Sequence, residues 1–379
     1  MRVFILGGML KHQFSLARAL SKTEEVVVAG PLDDLPDSIA RTVEGSFELR
    51  PFKRRSHTFH PAVFLFLFRT WLRLWKFKPD VVNLDIGGSL LDYPFLLGAR
   101  GYPVVATFHD VFPHTGEESS DFEIVRSAVR RRADQIIVHG DKLREQMIHN
   151  YGLSPQEVHS LPLGAPELKA FLAHEKPNVP SDEKMVLFFG RLHAYKGLEY
   201  LIAAEPLITK EVPGAKVVIA GAGEDFSRYR KMMQGREDNF IVLNRHITFE
   251  EGAELFQRCS VVALPYIGAS QSGVVPIAYG FKKPVVVTDT GSLSEVVKSG
   301  ETGFVVPPRD TEALAKAVIT LLKDRNLRKI MGENGFKSLE RIASWEDIAA
   351  KTLIVYREAI RSKSQKGLWA TLSPWKRNE

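Results

Sequence analysis

The chain has 379 residues, 44% of them hydrophobic, which is enough for two domains of ordinary size and typical of a globular protein. Its 51 Lys and Arg against 45 Asp and Glu leave a formal charge of +6, a mild basic excess that suits an anionic ligand or membrane surface without requiring either. The single cysteine, Cys259, excludes an intramolecular disulfide and a cysteine-based zinc site, and no apolar run reaches the roughly 20 residues of a spanning helix.

The chain enters a strand-like run at once, "VFIL" from Val3, with no signal-peptide pattern. A reducing cytoplasm is therefore the expected compartment. Gly7 and Gly8 follow, ahead of a helix starting near Lys11. This is either a plain tight turn or a backbone bend that admits an anionic ligand at a helix start. It is not the spaced three-glycine dinucleotide fingerprint. After the strand "VVVA" comes the segment "RPFKRRSHTFHPAVFLFLFRTWLRLWKFK", residues 50–78. Pro61 suits a helix start and Pro79 a stop. Helical spacing puts Phe64, Phe68, Trp71 and Trp75 on one face, and Arg69, Arg73 and Lys76 on another. Either the aromatic face packs on a sheet, or the helix lies at an anionic membrane surface with Lys53, Arg54 and Arg55 adding charge. The density of aromatics and cations favours the membrane. Next come the strands "VVNLD", "VVATFH" and "QIIVHG". The second ends at His109 and Asp110, which can face a phosphate or a sugar hydroxyl. No further ligand has the spacing for a metal site there.

Residues 165–184, "APELKAFLAHEKPNVPSDEK", carry three prolines and many charges and read as an interdomain linker. The expected domains are 1–170 and 180–350, with a terminal helical segment, 351–379, ending in a basic tail. The second half repeats the strand–helix alternation with "MVLFFG", "KVVIAGAG", "FIVLN", "VVALPY", "PVVVTD" and "GFVVPP". Continuous apolar strands separated by helices predict an α/β fold of doubly wound parallel sheets. Three turns at strand ends converge as ligand-facing loops. One holds Gly190, Arg191 and Lys196, one holds Gly221 and Gly223, and one holds Ser270, Gln271, Ser272 and Gly273 ahead of a helix at Val274. Arg can fork onto phosphate oxygens and Lys can add a point charge. No nucleophile elbow or Walker P-loop occurs.

Taken together, the Gly7-Gly8 turn with His12 beyond, "VVATFHDVFPH", "RRADQIIVHGDKLREQM", the Gly-Arg and Lys-Gly of 190–197, "GAGED", "KKPVVVTDTGSLSEVV", "TGFVVPPRD" and "SWEDIAAKTLIVYRE" resemble the family-4 retaining glycosyltransferases of the GT-B fold. The resemblance covers nearly the whole chain. It implies two Rossmann-like domains facing across a cleft, the first binding an acceptor and the second a nucleotide diphosphate sugar. It implies a last helix returning to the first domain. Arg191, Lys196 and His109 would be the catalytic groups, with the backbone of Ser272, Gly273 and Val274 holding phosphates. Gly7 and Gly8 would leave room for the donor, and Lys11, His12 and Asp110 would lie on the acceptor side. The sugar, from a UDP or GDP donor, would pass with retained configuration to a cell-surface polysaccharide or lipid-linked acceptor, without a metal or further cofactor. The enzyme would sit on the inner face of the membrane, with no nucleic-acid partner.

One departure stands out. The family usually carries two glutamates seven residues apart on the donor loop and helix, and here those positions fall on Ala269 or Ser270 and on Ile277. Neutral hydrogen bonds from Ser270, Gln271 and Ser272 could take over part of their work. The alternative is a donor-site-degenerate homologue acting as a binding or scaffold subunit.

Overall fold

The computed structural model describes residues 1–7, 10–31, 46–52, 61–86, 92–112 and 120–372. The first half contains β1 (Arg2–Gly7), α1 (Leu10–Leu20), β2 (Glu25–Pro31), β3 (Glu48–Phe52), α2 (Pro61–Phe77) and β4 (Val81–Ile86). It continues with α3 (Asp92–Gly98), β5 (Val104–Phe108), α4 (Ser120–Arg132), β6 (Gln135–Val138), α5 (Asp141–Tyr151) and β7 (Val158–Ser160). The strands form one parallel sheet in the order β3-β2-β1-β4-β5-β6-β7. β4 and β5 are buried along their whole length, which is why their sequences read as unbroken apolar runs.

The second half follows α6 (Leu168–Leu172) with β8 (Met185–Phe189), α7 (Leu198–Glu211), β9 (Lys216–Ala220), α8 (Ser227–Met233), β10 (Phe240–Leu243) and α9 (Phe249–Arg258). Then come β11 (Val261–Leu264), α10 (Val274–Gly280), β12 (Val285–Thr288), α11 (Leu293–Val296), β13 (Gly303–Val306), α12 (Thr311–Lys323), α13 (Arg325–Ala343) and α14 (Trp345–Leu372). Its parallel sheet runs β10-β9-β8-β11-β12-β13. Local signals set the helix starts: Thr248 and Glu251 form a capping box on α9, and Asp310 and Asp324 cap α12 and α13.

Each sheet reverses its winding once, between β1 and β4 and between β8 and β11. Open α/β sheets bind ligands outside the carboxyl ends of strands at such a reversal. The loops singled out in the sequence emerge there.

The segment 165–184 is more than a tether. Phe171 of α6 is buried and meets Phe189, Phe249 and Phe256 edge-on, with centroids 5.1–5.8 Å apart, so the crossing is packed into the second domain's core. After α13 the chain returns. Ile348, Ala349, Val355, Tyr356 and Ala359 of α14 are buried with Val3, Ile5, Val28 and Val105 of the first sheet. Asn83 Nδ2 donates to Tyr356 Oη at 2.8 Å. This returning helix begins at Trp345.

On α2 the sheet-packing alternative for the aromatic face is overturned. Phe64, Phe68, Trp71 and Trp75 are 57%, 58%, 39% and 68% exposed. The buried face is Val63, Leu67, Thr70, Leu74 and Phe77, a different stripe at helical spacing.

Candidate active site

From the second domain, β8 ends at Gly190 and Arg191 follows, exposed, its Nη2 donating to Tyr195 Oη at 3.4 Å. A single 3₁₀ turn, Ala194–Lys196, then carries Lys196. Its Nζ lies 3.7 Å from the centre of the Tyr266 ring and 5.0 Å from that of Tyr195. Burial pushes the Lys196 ammonium down to about 8, and the Arg191 charge pushes the same way. Two cations beside buried aromatic faces, with no carboxylate bonded to either among the described residues, form a pocket that gains from an anion.

Ser272 is buried, with its hydroxyl 3.3 Å from Tyr266 Oη and accepting from the Val274 backbone N–H at 3.2 Å. Gly273 caps α10. Ser270 accepts at its carbonyl from the Ser292 N–H at 2.9 Å, so the loop before α10 is braced by the turn after β12. Gln271 Nε2 donates across the cleft to the His139 carbonyl. Ala269 and Ile277 are buried in the apolar core.

The glycines divide by function. A Cβ on Gly7 would lie 2.0 Å from the Asp85 carbonyl, and Gly7 holds φ +121°. The turn after β1 is therefore required by the approach of β1 to β4. Gly221 and Gly223 meet the backbone at Gly190 and Leu192 in the same way, with Cβ distances of 1.9 and 2.0 Å. They shape the loop that presents Arg191. Gly8 lies outside the described residues, as do Arg54 and Arg55.

The first domain contributes a buried polar cluster. His109, at the end of β5, directs Nε2 to Asp85 of β4, 3.1 Å from Oδ1 and 3.2 Å from Oδ2. His12 of α1 and His139, at the end of β6, complete it, with the three imidazole centroids 4.8–5.2 Å apart. Trp345 of α14 packs on His12 at 5.2 Å. Burial and the neighbouring imidazoles push His12 well below its usual value. Burial, then the His109 charge, takes His139 down to about 3. His109 goes the other way: burial pulls it down, but the charge and hydrogen bond of Asp85 outweigh it and the net shift is upward. Asp110 acts weakly, through its charge, on His109 and on Lys196 of the opposite domain.

Lys11 pairs with Glu167 at 2.5 Å, tying α1 to the crossing segment. Across the same cleft Lys142 Nζ reaches Asp289 at 2.5 Å and Ser294 at 2.9 Å. Glu295 accepts from the Asp141 and Lys142 backbone N–H groups at 2.7 Å each.

Asp85, His139, Tyr195 and Tyr266 were not singled out from the sequence. Asp85 and Tyr266 lie inside or just beyond apolar strand runs, and only the pairing of β1, β4, β5 and β6 collects the histidines. His12, Asp85 and His109 also place metal-ligand atoms within 4.8 Å of one another, the one such group among the described residues. A zinc ion wants nitrogen and oxygen ligands at about 2 Å from one centre. The Nδ1 of His12 stands 3.9 Å from Asp85, while Asp85 and His109 bond directly, a geometry that fits a shared proton.

On the patch, Arg69 and Lys76 are exposed. Arg73 is bound to Glu48, its Nε donating at 2.8 and 3.0 Å, and is withdrawn from solvent-borne anions.

Two Rossmann-like domains with cations and loops meeting at their strand ends define the GT-B class. Residues 6–166 match the family model described as Glycosyltransferase Family 4, and residues 171–338 match that described as Glycosyl transferases group 1. The chain belongs to the family-4 glycosyltransferases. It is 26% identical over 371 residues to phosphatidyl-myo-inositol mannosyltransferase of Mycobacterium leprae, covering 95% of each chain. It is 34% identical over 184 residues to an uncharacterized glycosyltransferase of Methanocaldococcus jannaschii, a match spanning 48% of this chain and about half, 47%, of that relative. Among solved structures, Anabaena HepE in complex with UDP-glucose superposes with a TM-score of 0.69 at 16% identity, covering 93% of this chain and 99% of that one.

Proposed function

We propose that this chain transfers a sugar from a nucleotide diphosphate donor, a UDP or GDP sugar, to a polysaccharide or lipid-linked acceptor with retention of anomeric configuration. The observation that carries the reading is the pair Arg191 and Lys196 after β8, poised for an anion beside buried aromatic faces, with Asp110 of the first domain close enough to act on Lys196. The bond from the sugar's anomeric carbon to the diphosphate oxygen breaks, and its electron pair leaves with the diphosphate. The acceptor hydroxyl bonds to the same carbon on the same face and gives its proton to the departing phosphate oxygen. Arg191, Lys196 and the backbone N–H groups at 272–274 stabilise the charge that builds on that group, so the protein supplies preorganised electrostatics and positioning. The retained cations favour this over a scaffold, which has no use for them.

The exposed aromatic face of α2, flanked by Arg69 and Lys76, supports a peripheral position at an anionic membrane. That is where a lipid-linked acceptor would be met.

Calorimetric titration with UDP, GDP, ADP and dTDP sugars, followed by turnover assays and NMR of the product anomer, tests the proposal. Binding of one class with transfer and retention is expected. Binding without turnover would favour the scaffold, and no nucleotide binding would defeat the donor site. Arg191→Ala and Lys196→Ala should each cost about 1.5–3 kcal/mol of diphosphate affinity, the worth of a charge-assisted hydrogen bond, or roughly tenfold to a hundredfold in Kd.

A further inference from the structure

Asp85 is a carboxylate buried near the carboxyl end of β4, the central strand of the first sheet. A buried carboxylate is costly unless something repays its lost hydration. Its bonded partner is His109, itself buried, held through Nε2. The remaining nitrogen, Nδ1, has no hydrogen-bond partner among the described residues.

We propose that Asp85 positions His109 for the transfer step, taking the Nε2–H so that the ring is fixed and Nδ1–H is left to donate to an oxygen of the donor diphosphate. A neutral imidazole bonded to Asp85 through Nε2–H offers only a lone pair at Nδ1, which repels an anion. An imidazolium offers a second N–H donor. The groups facing His109 are Asp85 on β4, His12 on α1, His139 after β6 and Asp110 beside it. Burial and mutual repulsion keep His12 and His139 neutral. Positive charge in the cluster is therefore favoured on His109, beside Asp85. The same carboxylate sets the ring's orientation and its protonation, so Asp85 acts through His109 without touching substrate.

The inference rests on the reading of His109 as a donor-facing residue. Its test has a readout independent of turnover. NMR titration of the histidine side chains in the full-length protein should show His109 titrating above the ordinary 6.5, with His12 and His139 neutral at that pH. In Asp85→Asn the His109 midpoint should fall, and in a His12→Gln control it should stay. With a working donor and acceptor, kcat should decline on the alkaline side as His109 loses its proton. Asp85→Asn should move that limb to lower pH and reduce kcat more than it raises KM. A wild-type His109 midpoint at or below 6.5 would overturn the proposal, even if Asp85→Asn fails to fold. So would an unmoved midpoint or an unmoved kcat limb in a folded Asp85→Asn. Absence of any transfer by the wild type defeats the glycosyltransferase reading while leaving the titration to judge the pair.

Discussion

Lys196 must be charged to hold a diphosphate, yet its burial and the nearby Arg191 charge favour its neutral form. In the ligand-free protein its proton leaves at about 8. A bound diphosphate stabilises the ammonium and draws the proton back. Diphosphate affinity should therefore fall as pH rises through that value, with proton uptake on binding, in addition to any loss as His109 gives up its proton. Calorimetry in two buffers of different ionisation heat checks this, and Lys196→Arg should remove the Lys196 part of the decline because guanidinium stays charged. Ile277 makes a second point at this scale. It is 3% exposed inside the core beneath the donor loop. Ile277→Glu should therefore destabilise the fold by at least about 2 kcal/mol, the cost of burying an unpaired polar group, and lower Tm before nucleotide affinity can improve. A variant that melts like wild type and binds more tightly would show that the loop opens to receive the carboxylate. These residues also show what a linear reading can reach. Arg191, Lys196 and His109 were legible because each stands just after a strand, where ligand loops emerge. Asp85 and His139 were not, because their significance is a matter of which strands lie side by side.

Helix α2 was legible as an element and ambiguous as a surface. Its proline boundaries and two stripes were plain, but the stripe that faces the sheet is the aliphatic one, and periodicity alone cannot choose between two apolar faces. The two edge strands of the first sheet were the opposite case. β3, "ELRPF", and β7, "VHS", carry no apolar run, because an edge position needs less burial, and neither was expected. The eleven interior or apolar strands all were. If α2 docks on a bilayer, the protein should float with vesicles containing anionic phospholipid at low salt and be released as salt screens Arg69 and Lys76. Phe68→Ser with Trp75→Ser should abolish flotation without changing Tm appreciably, since both side chains are mostly in water. Equal flotation by wild type and double variant would rule the face out.

At the scale of the whole molecule, the two domains are joined twice, by the crossing at α6 and by the return of α14. Removing α14 by ending the chain after Ala343 would strip Ile348, Val355 and Tyr356 from the first sheet. Each buried apolar side chain is worth about 1.5–3 kcal/mol, so the truncated protein should lose cooperative unfolding of the first domain while the second still melts as a unit. Calorimetry that shows a single unchanged transition would contradict this.

The returning helix also bears on how the molecule is made. The first domain holds the opening residues of the chain, yet its core is sealed by residues near the end. On the ribosome, β1 and β4 must wait, with α1 but not α14 on this face, until α14 has been synthesised. The second domain, whose strands and helices are contiguous, is free to fold first, reversing the usual amino-to-carboxyl order. The half of the site built on the first sheet is then completed last, against the second domain's half already in place.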